Sequence, residues 1–137
     1  MSTPTGIIET ALYVEDLPRA INFYRGLLGL ETLSSDDRFH AFSVGGRHVL
    51  LLFRRGASLE PIALAGGFVP PHDGSGPVHK GFSISAESLG EWEAKLQQRG
   101  VKVESKATWP RGGISLYFRD PDGHLLELIT PGVWTIY

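Results

Sequence analysis

The sequence predicts an α+β fold in which one strand–helix–strand–strand–strand unit (βαβββ) occurs twice. Short apolar runs alternate with turn residues, since 17 Gly and 9 Pro are spread along the 137 residues. The order of predicted elements in the first half of the chain recurs in the second half. The length is typical of a single domain that can bury a substantial core.

A predicted strand and helix open the first half of the chain. Residues 6–14 (GIIETALYV) are rich in β-branched and aromatic side chains, and their alternation places Glu9 and Tyr13 on one face. Apolar residues then recur at helical spacing in LPRAINFYRGLL, residues 17–28, which predicts a helix. Asp16 can cap the start of this helix, and Gly29 stands where a helix commonly ends.

Three short strands and an irregular stretch complete the first half. The strands are predicted at residues 31–33, 39–44 and 48–53. Gly45 and Gly46 separate the last two strands and are typical of a tight hairpin. Residues 55–76 show neither a strand nor a helix period, which predicts a linker and a lid over the site.

The same order of elements is predicted after this stretch. A strand at residues 78–85 precedes a helix over residues 88–100, for which Ser88 and Glu91 offer a capping box. The three remaining strands are predicted at residues 101–105, 113–120 and 124–130. The modules therefore span about residues 6–54 and 77–132, joined by residues 55–76.

The two halves can be aligned with each other from the sequence alone. Residues 44–53 (VGGRHVLLLF) match residues 120–129 (DPDGHLLELI), so that Leu51 corresponds to Glu127. Two such units, each with a curved sheet, are expected to close a core around a pseudo-twofold axis. Equivalent positions of the two halves are then expected to face one cavity.

Composition excludes several classes of function. The formal net charge of −2 leaves no basic field for nucleic acid. The absence of cysteine excludes disulfides, zinc–thiolate sites and thiol nucleophiles. No signal peptide and no membrane-length apolar run is found, so a cytoplasmic protein without membrane contacts is expected.

Three ionisable residues at inward strand positions are candidate metal ligands. Glu9 and His79 hold corresponding places in the first strand of each half, and Glu127 interrupts the apolar run HLLELI. A buried carboxylate costs several kcal/mol unless it is paired or binds a cation. A basic partner or an outward orientation is the commoner explanation for a single Glu, but the symmetric placement favours a divalent metal, one of Fe, Mn, Ni, Zn, Co or Mg.

Several strings together resemble the vicinal-oxygen-chelate superfamily of glyoxalases, bleomycin resistance proteins and dioxygenases. These are ETALYVEDLPRAINFYRGLLGL, GPVHKGFSI and SLYFRDPDGHLLELITP, which cover nearly the whole chain. The resemblance implies a cupped mixed sheet around one divalent metal, held by Glu9, His79 and Glu127. It also implies a homodimer and a small-molecule substrate bound through neighbouring oxygens.

Departures from the family pattern keep the reaction open between dioxygenase-like and lyase- or isomerase-like chemistry. The fourth ligand of glyoxalase I enzymes falls on Leu51, which cannot coordinate a metal. Three-ligand members have His where Glu9 stands, and the upstream His of the dioxygenase signature is absent from residues 108–110. The alternative is a metal-free binding protein of the bleomycin-resistance type.

The remaining candidates serve catalysis and substrate binding. Glu9 and Glu127 are predicted to act in catalysis as well as in metal binding, and Tyr117 can donate a hydrogen bond to an oxyanion. The predicted substrate-binding residues are Arg38, His72, Trp109 and Arg111. Packing or solvent-exposed roles are the alternative for each of them, and for the loop residue His72 solvation is the commoner case.

Overall fold

The computed structural model describes residues 1–137 and divides the chain into two units, Met1–Gly76 and Pro77–Tyr137. Each unit contains a four-stranded mixed sheet and one α-helix. The predicted α+β class and the repeated order of elements are confirmed. Neither helix has the length and apolar character needed to cross a membrane.

The first unit contains the four strands and one helix of the predicted order, plus one additional hairpin. Its elements are β1 (Glu9–Val14), α1 (Leu17–Leu28), β2 (Glu31–Ser35), β3 (Phe39–Val44), β4 (His48–Arg54), β5 (Ile62–Leu64) and β6 (Gly67–Val69). The strand order of the main sheet is β1-β4-β3-β2, and only β1 and β4 run parallel. The short strands β5 and β6 pair with each other.

Helix α1 has the ends that the sequence predicts, and it covers one face of this sheet. The Asp16 side chain accepts a hydrogen bond from the backbone N–H of Arg19 at 3.0 Å, and Gly29 ends the helix with a φ of 68°. The helix buries Leu17, Ala20, Tyr24 and Leu27. Strand residues of alternating positions, such as Leu12, Phe42, Leu50 and Leu52, are buried with them in the core.

The second unit repeats the architecture. Its elements are β7 (His79–Ser83), a short 3₁₀ turn (Ala86–Ser88), α2 (Leu89–Gln98), β8 (Ser105–Thr108), β9 (Ile114–Arg119) and β10 (Leu125–Ile129). The strand order is β7-β10-β9-β8, with β7 and β10 parallel. The first strand of each unit thus lies at the edge of its sheet.

The pairing registers confirm the internal alignment of the two halves. In the first unit Ala11 lies opposite Leu51, and in the second Gly81 lies opposite Glu127. Leu51 and Glu127 are therefore equivalent positions of the repeat. Since the registers arise from backbone pairing alone, this equivalence is independent of the similarity between the side chains.

Two local predictions in the second unit were wrong. The strand predicted at 101–105 begins only at Ser105, where pairing with β9 starts. Val101 is still bonded to the end of α2, since its backbone N–H donates to the Leu96 carbonyl. Ser88 makes no side-chain cap. Ser85 caps the preceding 3₁₀ turn instead, by accepting from the Ser88 N–H at 3.2 Å.

The stretch between the modules is more ordered than the sequence indicates. It contains the β5–β6 hairpin, whose three-residue strands are too short to show a period. Its last part is fixed to the first unit by backbone contacts, since the His72 N–H donates to the Ser58 carbonyl at 2.9 Å. The Gly56 N–H likewise donates to Asp73 at 3.0 Å. The lack of a regular period therefore did not exclude short paired strands within this linker.

Candidate metal centre and adjoining pocket

The edge strand β7 and its neighbour β10 in the second unit hold an imidazole–carboxylate pair. Nε2 of His79 lies 3.0 Å from Oε1 of Glu127, on the parallel strands β7 and β10. The Glu127 side chain is only 7% exposed, whereas that of His79 is 50% exposed. The carboxylate is thus buried while the imidazole keeps the pair open to solvent.

The hydrogen bonds of His79 decide which nitrogen can bind a metal. Nδ1 lies 2.9 Å from the carbonyl oxygen of Leu125, which can only accept, so we assign the ring proton to Nδ1. In the neutral ring Nε2 is then an acceptor that faces an acceptor oxygen of Glu127. This arrangement requires a proton or a cation between the two atoms. A backbone carbonyl behind the ring is the usual support of a metal-binding histidine, so the pair fits a divalent cation.

The second oxygen of Glu127 is fixed by hydrogen bonds that run from Trp109, just after β8, through Ser115 of β9. The fully buried Ser115 donates its hydroxyl proton to Oε2 of Glu127, and accepts at 2.9 Å from the indole N–H of Trp109. Each donor therefore has its acceptor, as buried polar groups require. The carboxylate is held in one orientation, with Oε1 directed at His79.

Tyr117 completes the surroundings of Glu127, which it faces across the β9–β10 pair. Burial raises the pKa of Tyr117, as do the charge of the Glu127 carboxylate and a hydrogen bond with it, while a hydrogen bond with Ser115 acts in the opposite sense. The phenol therefore stays protonated at neutral pH and acts as a donor. Its ring centroid lies 6.2 Å from that of His79.

A glycine of β7, Gly81, lies beside the pair. A Cβ added to Gly81 would lie 2.7 Å from Cδ1 of Ile129 and 3.9 Å from Oε1 of Glu127. The equivalent position of the first unit is Ala11. The absence of a side chain at Gly81 therefore leaves room for the Ile129 side chain next to Glu127.

The first unit carries a separate pocket of about 410 Å³ on the sheet face opposite α1. Glu9 lines one end, and Ala11 and Leu51 form an apolar floor. Arg38 and His72, both predicted to bind substrate, also line this pocket. The volume lies within the usual range for small-molecule sites.

The aromatic end of the pocket is tightly connected. The hydroxyl of Tyr13 lies 2.6 Å from Nδ1 of His72, and the Tyr13 ring stacks on Phe53 with centroids 5.8 Å apart. Burial, followed by the charge of Asp73, raises the pKa of Tyr13. His72 is therefore a bonded wall of the pocket rather than a solvated loop residue.

The structure thus divides the predicted site residues between the units. His79, Glu127, Tyr117 and Trp109 form one connected group in the second unit, whereas Glu9, Arg38 and His72 line the pocket of the first. Arg111 is exposed on the turn before β9. No three His, Asp or Glu side chains of the chain form a ready metal cluster. The three-ligand set therefore stays a prediction.

Sequence reasoning missed the role of two residues. Ser115 is the buried hydroxyl that binds Glu127, and Tyr13 anchors His72. Both could have been found from strand alternation, since Ser115 shares a face with Tyr117, and Tyr13 shares one with Glu9. A polar residue inside the apolar run ISLYF is the signal for Ser115.

Residues 6–128 match the family model of the Glyoxalase/Bleomycin resistance protein/Dioxygenase superfamily. Among curated proteins, the chain is 32% identical to a metallothiol transferase FosB of Bacillus licheniformis over 94% of this chain and 77% of that protein. It is 31% identical to a glutathione transferase FosA of Serratia marcescens, over 85% of this chain and 74% of that one.

A solved structure covers almost the full chain. The lactoylglutathione lyase from Agrobacterium tumefaciens superposes with a TM-score of 0.88 at 33% identity, over 98% of this chain and 99% of that one. The chain therefore shares its fold with that protein along almost its whole length.

Proposed function

Because the chain belongs to the Glyoxalase/Bleomycin resistance protein/Dioxygenase superfamily, we propose that it is a divalent-metal-dependent enzyme acting on a small substrate with two neighbouring oxygens. The His79–Glu127 pair is the observation that supports this function most directly. An imidazole and a carboxylate suit Fe, Mn, Ni, Zn, Co or Mg, and they select none of these ions.

Glu9 is the proposed third ligand. It is exposed at the start of β1, the position equivalent to His79 in the repeat. The proposal requires Glu9 to join the pair, from the same chain or from a second copy of it. A bound metal would polarise the substrate oxygens as a Lewis acid. Glu9 can also leave the metal and accept a proton from the substrate, in the role of a general base.

Tyr117 is proposed as the hydrogen-bond donor to the substrate. Its raised pKa keeps the hydroxyl protonated, and its position beside Glu127 puts a donor next to the ligand carboxylate. Trp109 is proposed to act indirectly, because its indole N–H positions Ser115, which in turn positions Glu127. Arg111 stays a candidate for substrate contact from the neighbouring turn.

The similar proteins favour thiol chemistry over ring cleavage. Their names specify a metallothiol transferase, a glutathione transferase and a lactoylglutathione lyase. We therefore propose that the substrate is either an electrophile that receives a thiol or a preformed thiol adduct. Dioxygenase-like cleavage of a catechol is the other reaction to be tested.

Elemental analysis tests the metal site. Protein freed of metal and reconstituted with Fe(II), Mn(II), Ni(II) or Zn(II) is expected to hold about one ion per chain and to gain thermal stability. His79→Ala and Glu127→Ala should each abolish metal binding and the gain in stability, and Glu9→Ala should weaken both. The matched controls are His48→Ala and Glu60→Ala, which alter exposed residues of the first unit. Equal metal content in all variants would contradict the proposal.

A three-part activity screen identifies the reaction. The loaded protein is incubated with glutathione and fosfomycin, with the adduct of glutathione and an α-keto aldehyde, or with a catechol and O₂. Loss of free thiol indicates the transferase, rearrangement of the adduct indicates the lyase, and O₂ uptake indicates the dioxygenase. Activity that survives in Glu127→Ala would exclude the proposed centre.

Mixing variants tests the proposed homodimer and the origin of Glu9. If each site takes Glu9 from a second copy, an equal mixture of Glu9→Ala and Glu127→Ala protein, unfolded and refolded together, regains intact sites. If each chain supplies its own set, the mixture regains none. Sedimentation measures the oligomeric state of the same samples.

A metal-free binding protein is the second candidate. It is favoured by the pocket of the first unit, which has an apolar floor, and by the lack of a complete three-residue cluster. Failure to bind any of the four ions would establish this candidate over the enzyme.

A further inference from the structure

We infer that the pocket of the first unit binds a planar aromatic group bearing one negative charge, with Arg38 as the recognition residue for that charge. This binding needs no metal. Its assignment to the substrate of the proposed enzyme rests on the proposed function, in which the same pocket includes Glu9.

The two ends of the pocket have opposite charge. Glu9 and Tyr13 lie on one face of β1 four residues apart, which corresponds to about 13 Å along a strand. Arg38 belongs to the Tyr13 end, because its guanidinium carbon lies 5.8 Å from the centre of the Phe53 ring, opposite Tyr13 in the sheet. An anion beside Arg38 is thus well separated from the Glu9 carboxylate.

The guanidinium of Arg38 is held in place and keeps donors for a ligand. It stacks over Phe39 at 5.2 Å, and its Nη1 donates to the Ser58 hydroxyl at 3.2 Å. Asp36 lies at 3.8 Å, which is an ion pair without a hydrogen bond. Oδ1 of Asp36 accepts instead from the backbone N–H groups of Arg38 and Phe39. A planar fork with unused N–H donors suits a carboxylate or a similar anion.

The walls of the same end suit a flat ring. Phe53 is in ring contact with three neighbours, at centroid distances of 5.8 Å to Tyr13, 5.8 Å to Phe39 and 4.5 Å to His72. The floor between this cluster and Glu9 consists of the small Ala11 and of Leu51. A ring can lie on this floor with its edge against the aromatic cluster, where aromatic contacts stabilise it.

The charge at Arg38 and the apolar floor must act on one molecule for this inference to hold. An aromatic anion satisfies both, whereas a small inorganic anion leaves the floor in contact with water and a neutral ring covers the unused N–H donors of Arg38 without an acceptor. Covering these donors without an acceptor is costly, so the site discriminates against the neutral ring.

Calorimetry with 2-naphthoate in EDTA tests the inference on the full-length protein. Two comparison ligands separate the contributions: 2-naphthylmethanol keeps the ring without the charge, and cyclohexanecarboxylate keeps the charge without the flat ring. We expect 2-naphthoate to bind roughly tenfold or more tightly than either one, the difference typical of a charge-assisted hydrogen bond. Equal affinity for all three ligands would overturn the inference.

Variants assign the charge recognition to Arg38. Arg38→Gln is expected to weaken 2-naphthoate roughly ten- to hundredfold and to leave 2-naphthylmethanol within about twofold. Arg38→Lys keeps the charge without the fork and should be intermediate, which also guards against misfolding of the Gln variant. Arg47→Gln, at the exposed β3–β4 turn, is the matched control. Unchanged binding in Arg38→Gln would refute the assignment.

The metal analysis on the same samples keeps the two proposals distinguishable. One metal per chain without 2-naphthoate binding overturns this inference alone. Binding of 2-naphthoate without any metal uptake overturns the proposed enzyme and supports the pocket as a ligand site in its own right.

Discussion

The two units share one backbone plan but present different chemistry on corresponding strands. Where the second unit has His79 and Glu127, the first has Glu9 and Leu51. The first face is therefore mainly apolar and forms a pocket, whereas the second holds a buried carboxylate that contacts a half-exposed imidazole. The two units thus share their strand registers, while single side chains give one face an apolar pocket and the other an imidazole–carboxylate pair.

The same comparison extends to the histidines at the start of β4 and just before β10. Nδ1 of His48 lies 3.1 Å from the Ile7 carbonyl, and Nδ1 of His124 accepts from the Val78 N–H at 3.1 Å. Both side chains fix the backbone that enters the first strand of their unit. His124 is almost fully buried, whereas His48 is exposed.

A substitution that makes the second unit resemble the first should have the largest effect, which is a loss of metal affinity. Glu127→Leu installs the residue found at the equivalent Leu51 and removes the buried ligand. We expect metal affinity to fall by more than roughly a hundredfold, since even residues that only orient a ligand contribute about 10- to 100-fold. Competition with a chelator measures the affinity. Glu60→Leu controls for loss of charge, and metal binding that survives in Glu127→Leu would show that the asymmetry of the two faces is irrelevant.

Removing the hydrogen bond that supports the Glu127 carboxylate should have a smaller effect on metal affinity. Ser115→Ala deletes the donor to Glu127 and the acceptor of Trp109. We expect a loss of about 10- to 100-fold in metal affinity, together with a change in Trp109 fluorescence. Ser105→Ala, at an exposed position of β8, is the control. If both serine variants bind metal equally, the Trp109–Ser115–Glu127 chain has no positioning role.

A change confined to the first unit should affect its pocket and its stability. A Cβ added to Gly74 would lie 2.5 Å from the Tyr13 ring, so Gly74→Ala must displace the ring or the loop that carries His72. Crowding of this kind costs about 1–3 kcal/mol in the free energy of unfolding. Urea denaturation measures it, with Gly66→Ala as control because no atom lies near its added Cβ. A cost equal to that of the control would show that this contact is loose.

The smallest expected effect is a pH dependence shared by the two units. Tyr13 and Tyr117 both have a pKa raised above 10.0, each by burial and then by a nearby carboxylate. Above that pH the unfolded chain loses these protons before the folded chain does, so the free energy of unfolding falls as pH rises. Tyr13→Phe and Tyr117→Phe should each make this fall shallower in urea titrations between pH 8 and 11. Parallel curves for all three proteins would contradict the raised pKa values.

Local signals were sufficient for much of the fold. The Asp16 cap, the Gly29 terminus and the Gly45-Gly46 hairpin each depend on residues that are close in sequence, and the structure confirms all of them. The start of β8 and the β5–β6 hairpin were not predictable in this way. Both are defined by pairing partners rather than by a period of their own.

The sequence by itself determined the repeat, the order of elements and the equivalence of Leu51 with Glu127. These follow from periodicity and self-similarity, which act over a few residues at a time. Only the tertiary structure decided that the Leu125 carbonyl orients His79, that Ser115 holds Glu127, and that Arg38 belongs to an aromatic pocket. Such contacts join residues on different strands, and their geometry depends on register and rotamer, which no short stretch of sequence encodes.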